Sequence, residues 1–221
     1  HCVNNISGIA KAINISKANK NFLSLNEIPF YLRNAIVATE DPNFYEHKGI
    51  DSYFVGVAIV RNIINKKYVK GASTITMQLA KNLFLTQTKS LARKFEEVVL
   101  AWLMENHFNI SKDRILEIYL NIIEFGENIY GLSEAAQYYF DKKVSELDIT
   151  ESLVLSYIIP QPKYFLEAVL IKSPKLIQKI NNHIDFYSNY LMNMKIIDEE
   201  CYNKIKYCIK FRPSIGALVL K

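Results

Sequence analysis

Two glutamates in this chain of 221 residues stand where helix stability does not call for them. Glu40 follows an apolar stretch, Ile28 to Thr39, that reads as a helix ending at Asp41, because Pro42 disfavours helical geometry in the residue before it. A carboxylate at a helix C-terminus meets the negative end of the macrodipole, at a cost of about 0.3–1 kcal/mol. Such a place favours taking up a proton, which suits a general base; a solvated helix-end glutamate is the alternative. Glu97 lies four residues after Arg93 in the longest helical pattern, Lys89 to His107. Leu91, Phe95, Val98, Val99, Trp102 and Leu103 recur there at helical spacing, so that stripe is predicted to be core, with Arg93 and Glu97 opposite it. An exposed i, i+4 pair is one explanation of the two charges, yet arginine before glutamate is the weaker orientation for helix support.

Other chemistries lack their residues. There is no G-x-G-x-x-G, no Walker loop, no Gly-x-Ser-x-Gly elbow and no Asp-x-Asp of the kind that holds a metal against a sugar nucleotide. His1, His47, His107 and His183 are scattered, and Cys2, Cys201 and Cys208 form no C-x-x-C, so no metal site is expected. Cys201 and Cys208, seven apart on an expected helix, read as packing residues. The net charge of +5 and a pI of about 8.9 suit an anionic partner: nucleic acid, a phosphate-bearing lipid or an anionic membrane. The basic residues form no stripe interleaved with aromatics, which argues against nucleic acid.

The elements that must position these groups are helical. Half of the residues are hydrophobic, and seven glycines and six prolines interrupt the chain little, as a mainly α domain requires. Residues 1–25 are polar and read as a lead-in. An apolar segment from Asp51 to Asn65 runs into Lys66, Lys67 and Lys70, and Gly71 turns into a helix over Thr74 to Leu85. Ser111 caps a helix over Lys112 to Ile123, and a short helix covers Ala135 to Phe140. Asp148 and Glu151 form a capping box for a helix ending at Pro160, Ser173-Pro174 opens one to about Lys195, and Asp198 starts the last. The longest apolar run, Phe54 to Val60, is far short of the roughly 18 residues that cross a bilayer. The chain opens at His1, so an upstream signal or anchor is expected to have been removed.

Five strings in order carry a more specific signal. They are Glu40-Asp41-Pro-Asn-Phe44-Tyr-Glu-His47-Lys-Gly49, then Gly71-Ala-Ser73-Thr74-Ile-Thr76-Met-Gln78-Leu-Ala-Lys81-Asn82, and Arg93-Lys94-Phe-Glu-Glu97. Lys112-Asp-Arg-Ile-Leu116-Glu117-Ile-Tyr119-Leu-Asn121 follows, and then Gly126 to Phe140 with Gly131, Ala135, Ala136 and Tyr139. Together they resemble the five motifs of the peptidoglycan glycosyltransferases, over about residues 27–210. That family is found as monofunctional cell-wall transglycosylases and as the N-terminal domain of bifunctional penicillin-binding proteins.

The resemblance implies a mainly α fold similar to lysozyme, with a helical head lobe and a smaller jaw lobe that dips into the outer leaflet. The glycosyltransferase domain would cover residues 26–221, with the jaw at about 51–70. There Phe54, Val55, Ile59 and Ile63 would enter the membrane while Lys66 and Lys67 meet lipid phosphates; an ordinary core helix is the alternative. Glu40 would be the general base, taking the proton of the acceptor's N-acetylglucosamine 4-hydroxyl as that oxygen attacks C1 of the donor's N-acetylmuramic acid. Glu97 would be the second catalytic carboxylate, orienting the donor site. Ser73, Thr74, Gln78, Lys81, Lys89, Arg93 and Lys94 would contact substrate, and His47 would tie down the loop after Glu40.

The implied partners are lipid II, the growing lipid-linked glycan, the membrane surface and cell-wall synthesis proteins. The implied location is the extracytoplasmic side of the bacterial cytoplasmic membrane. No cofactor is required, with a divalent cation as at most an assistant. Three residues depart from the family pattern: Met77 replaces a glutamine, Lys89 a frequent arginine, and Glu96 a common lysine. The first two are expected to weaken polar contacts, and Glu96 to set a negative charge beside a diphosphate site. A lysozyme-like hydrolase or lytic transglycosylase is the nearest alternative, and a catalytically silent glycan-binding module another.

Overall fold

The computed structural model describes residues 21–51, 73–85, 90–205 and 208–219. In chain order its elements are α1 (Phe30–Glu40), α2 (Ile75–Phe84), α3 (Leu91–Trp102), α4 (Lys112–Ile122), β1 (Glu124–Gly126), β2 (Ile129–Tyr130), α5 (Gly131–Phe140), α6 (Ile149–Ile158), α7 (Pro162–Leu170), α8 (Pro174–Asn193), α9 (Glu199–Asn203), β3 (Cys208–Lys210) and β4 (Ala217–Val219). The mainly α class expected from the sequence is therefore found, with two small antiparallel hairpins added, β1–β2 and β3–β4. The chain divides into two compact units: His1–Lys20 with Asp41–Tyr119, and Asn21–Glu40 with Leu120–Lys221. The expected jaw lies outside the described residues except for Asp51, and so do Phe54, Val55, Ile59, Ile63, Lys66, Lys67 and Lys89. Among the described residues no helix is long and apolar enough to cross a membrane.

In the first unit, α2 opens where the Thr74 side chain accepts from the Met77 amide, and α3 where Ser90 accepts from that of Arg93. The two helices pack on each other. α3 runs on into a π-helical turn, Leu103–His107. Its orientation reverses the expectation. Phe95 is 70% and Trp102 50% exposed, whereas Glu97, Leu100, Ala101 and, one turn on, Met104 are buried. Those four sit at i, i+3, i+4 and i+7, so they form a helical face as regular as the apolar stripe. The steric reason lies at Gly49. A Cβ there would come within 2.7 Å of the Ala101 carbonyl oxygen, so the loop backbone and α3 approach as closely as a glycine permits.

In the second unit, α6 is central. Ile149 to Ser156 are all buried, as in a helix covered on every side, with α1, α8 and β1 against it. Its buried polar groups are satisfied locally: the hydroxyl of Ser152 donates to the Asp148 carbonyl and that of Ser156 to the Leu153 carbonyl. The Asp148–Glu151 capping box forms as expected, and Glu151 also binds Lys142 at 2.7 Å. The first described residues belong to this unit rather than to a lead-in. The backbone N–H and carbonyl of Leu23 exchange two hydrogen bonds with the side-chain amide of Asn121, and Leu25–Glu27 form a 3-10 turn under Ser24. Cys208 is not on a helix but begins β3, where exposed Cys208 and Lys210 flank buried Ile209. Phe211 continues that strand into a ring cluster with Tyr139, Phe140 and Phe165.

Gly131 opens α5 at φ +77, and a Cβ there would sit 2.3 Å from the Asn121 carbonyl oxygen. Gly131→Ala is therefore expected to destabilise the fold by about 3 kcal/mol or more, from left-handed strain plus a backbone clash. That is roughly 6–12 °C in Tm for a chain of this length. A thermal unfolding curve shifted by less than about 2 °C would show that the turn relaxes instead.

Candidate active site

Glu97 is the centre of a charged cluster within the first unit. It is 3% exposed. Lys94, one turn back on α3, places Nζ 2.9 Å from its Oε2, and Arg93 places Nε 3.2 Å from its Oε1. The Arg93 N–H is not directed along that line, so this contact is an ion pair rather than an aligned hydrogen bond. Lys94 also donates to the hydroxyl of Ser73, at 2.5 Å, immediately before the N-cap of α2. Four residues that the sequence singled out, Ser73, Arg93, Lys94 and Glu97, thus meet at one place. A buried carboxylate fixes two cations whose side chains remain 18% and 29% exposed, so their outer faces can still receive an anion.

A second network fixes the loop from Asp41 to Asp51. Buried Asp41 accepts from the Ile75 amide at 3.0 Å, at the N-terminal end of α2 where the macrodipole favours an anion. His47 Nε2 lies 3.0 and 3.1 Å from the two oxygens of that carboxylate, and Lys112 Nζ lies 3.3 Å from His47 Nδ1. A neutral ring protonated on Nε2 satisfies both neighbours, a tautomer assigned from its partners. Lys112 continues the chain to Glu105 at 2.9 Å, and its ammonium stands 4.4 Å from the Phe44 ring centre. Burial pushes the Lys112 amine down, while the hydrogen bond to Glu105 pulls it back up. His47 is thus a tie for the loop. Lys112 opens the fourth of the five strings, and its partner Glu105 lies in the π-helical turn, which no local sequence pattern marks.

Glu40 belongs to the second unit, as the half-buried last residue of α1. Its neighbour Thr39 donates to the Ala35 carbonyl and is hydrogen-bonded to the hydroxyl of Tyr187 on α8. The Tyr187 hydroxyl is pushed up chiefly by burial, and the charge of Glu40 adds to the rise. Tyr187 was missed because it is far from Glu40 in sequence and sits in no distinctive string.

The other expected contacts divide between the surface and the fold. Gln78 and Lys81 share the part-exposed face of α2, and Gln78 accepts from the Tyr119 hydroxyl at 3.1 Å. Thr74 is buried, and its hydroxyl both caps α2 and donates to the Gly49 carbonyl at 2.7 Å, so its side chain is committed to the fold. Met77 is buried in the core, so it removes no polar contact that a ligand could reach. Glu96 is exposed while Glu97 is buried, so it does not face the cluster as expected. Glu96→Lys should then leave the apparent KM for a lipid-linked donor within about twofold of wild type at low salt, as for an exposed charge off the site. A several-fold fall would place Glu96 beside the diphosphate after all. Among the described residues no group of three or more His, Cys, Asp or Glu is placed to hold a metal ion.

Comparison with known proteins bears on this arrangement. Residues 7–184 match the family described as Transglycosylase. The chain is 46% identical to penicillin-binding protein 1F of Bacillus subtilis over 147 residues, 66% of this chain and 20% of that protein. It is 40% identical over 168 residues to penicillin-binding protein 1A of Neisseria lactamica, 75% of this chain and 21% of that one. It is also 42% identical over 146 residues to the biosynthetic peptidoglycan transglycosylase of Paraburkholderia phytofirmans, 66% of this chain and 60% of that protein. The chain thus spans about a fifth of the length of the two penicillin-binding proteins. The family match covers most of the chain and includes Glu40 together with the whole Glu97 cluster, and on that ground the chain belongs to the transglycosylase family.

Proposed function

We propose that the chain is a peptidoglycan glycosyltransferase that polymerises lipid II into β-1,4-linked glycan on the extracytoplasmic side of the bacterial cytoplasmic membrane. The observation that carries this reading is the buried Glu97 gripping Arg93 and Lys94, with Ser73 on the same ammonium. A diphosphate leaving group gathers negative charge as its bond to C1 breaks, and cations fixed beforehand stabilise that charge without reorganising. Hydrolysis of a glycan needs no such cradle. In this mechanism Glu40 takes the acceptor 4-hydroxyl proton while that oxygen bonds to C1 of the donor sugar. The C1–diphosphate bond breaks with inversion, and Arg93 and Lys94 meet the departing charge. Ser73, Gln78, Lys81 and Lys89 add polar contacts. Phe54, Val55, Ile59, Ile63, Lys66 and Lys67 hold the protein at the lipid surface, and other cell-wall synthesis proteins are its partners.

The test is incubation of the purified chain with lipid II in detergent, with products separated on a gel. A ladder of glycan polymers is the expected result. Lipid II binding without turnover would make the chain a binding module, and digestion of purified sacculi would make it a hydrolase.

A further inference from the structure

A cavity of about 390 Å³ opens in the second unit, where the end of α1 meets α6, α7 and the start of α8. The reaction above leaves it without a role. Thr39, which precedes Glu40, is in its wall. The volume falls toward the lower end of the range for small-molecule sites, with room for a single sugar ring and a short arm rather than a strand.

Its walls are of three chemical kinds. Tyr157, Tyr164 and Phe165 supply ring surface, and Tyr164 is 70% exposed, so it is not needed to fill the core. Gln161 and His183 supply neutral hydrogen-bonding groups. His183 holds Ser156 Oγ at 2.9 Å, and burial pushes the imidazole down to about 4, so it carries no charge at neutral pH. Lys175 and Lys179 supply positive charge from the first two turns of α8.

The lysines are placed against helix stability. The macrodipole disfavours a cation in the first turn of a helix, where Lys175 stands, and the like charges of Lys175 and Lys179 at i, i+4 repel by a few tenths of a kcal/mol. Among the described residues no ion pair relieves either of them. Ser173, at the N-cap and also in the wall, makes no capping bond with its side chain. Two uncompensated cations over an aromatic, neutral-polar floor fit a ligand that joins a ring to an acid.

We propose that this cavity binds the muramyl unit of the substrate, its ring against Tyr157, Tyr164 and Phe165 and a free carboxylate of the stem peptide, which is amide-linked to its lactyl group, on Lys175 and Lys179. The identity of the sugar rests on the glycosyltransferase reading. Bound there, the substrate has its acid arm anchored in the same unit that carries Glu40.

The experiment is calorimetric titration of the full chain with a soluble muropeptide, N-acetylglucosaminyl-N-acetylmuramyl pentapeptide, which has neither lipid nor diphosphate. Di-N-acetylchitobiose, which lacks the acid, and inorganic phosphate are the reference probes. Muropeptide should bind at least about tenfold more tightly than chitobiose, and the double variant Lys175→Ala with Lys179→Ala should remove most of that difference, as loss of charge-assisted contacts implies. Tyr164→Ala, at an exposed position, should weaken both sugars together. No muropeptide binding, or equal binding by wild type and the double variant, overturns the proposal. Phosphate binding as tight as the muropeptide overturns it too, by reducing the site to a plain anion hole. Lipid II polymerisation run in parallel separates the two ideas. Polymer without muropeptide binding removes the cavity proposal alone, and muropeptide binding without polymer removes the glycosyltransferase reading alone.

Discussion

Glu40→Gln is expected to lower lipid II polymerisation by roughly 10²-fold or more and to leave melting temperature unchanged or slightly raised. The two readouts move apart for a physical reason. Glutamine keeps the size of the side chain and loses its basicity, so an acceptor hydroxyl has no group to take its proton. The same change removes a negative charge from the C-terminal end of α1, where the macrodipole disfavours it by about 0.3–1 kcal/mol. The core contribution of α1 comes from Leu32, Ala35 and Ile36, none of which is touched. A glutamate kept for stability would behave in the opposite way, losing Tm on replacement. Retention of more than about a third of the wild-type rate would remove Glu40 as the base.

Much of the helical frame was legible because its punctuation is local. Pro42 ends α1, Ser111 caps α4, Asp148 and Glu151 open α6, and Ser173-Pro174 opens α8, each by a rule that needs only neighbouring residues. Even so, α7 was not anticipated, although Pro162 stands at its first position after Gln161, the same kind of signal that located α8. β3–β4 was hidden for a different reason. Strands of three residues are too short for alternation to stand out, and Gly216 at φ +93 makes a turn that only the partner strand explains.

The facing of α3 shows where periodicity ends as a guide. Phe95 and Trp102 define an apolar face by composition, but burial is decided by what the rest of the unit presents to the helix. Here that is the Gly49 backbone, which Ala101 can approach and a larger residue could not, together with Ser73 and the cations around Glu97. A carboxylate on the inward face is costly unless paired, so the sequence rule that places charges outward fails at the site where pairing is part of the function. The resemblance named Glu97, Arg93, Lys94 and Ser73 together. Their distances and the inward direction of the carboxylate came only with the fold. The same holds for Tyr187, which reaches Thr39 from α8 across nearly 150 positions of chain.

Glu97→Gln is the sharper test of the cluster, because stability, binding and rate should respond differently. Removing one partner of a fully buried ion pair costs about 3–5 kcal/mol. Here both cations remain partly open to solvent, at 18% and 29% side-chain exposure, so water can take over part of their solvation. The expected stability loss is therefore nearer 1–2 kcal/mol, roughly 2–8 °C in Tm. Donor binding should not weaken, because the variant makes the cradle more positive by one charge and an anion is attracted at least as strongly. The rate should still fall. Arg93 and Lys94 lose the carboxylate that aims them, and stabilisation of a developing charge depends on cations held in place before the bond breaks; losing one aimed donor costs roughly 10²-fold or more in kcat. The expected signature is thus a kcat lowered by about two orders of magnitude with KM for the lipid-linked donor unchanged or reduced. Lys94→Ala should give the complementary result, a raised KM, since it removes a cation instead of its anchor. A kcat for Glu97→Gln within about threefold of wild type would leave the cluster a structural ion pair. A Tm drop of more than about 10 °C with no active folded fraction would show that Glu97 chiefly holds the core of its unit.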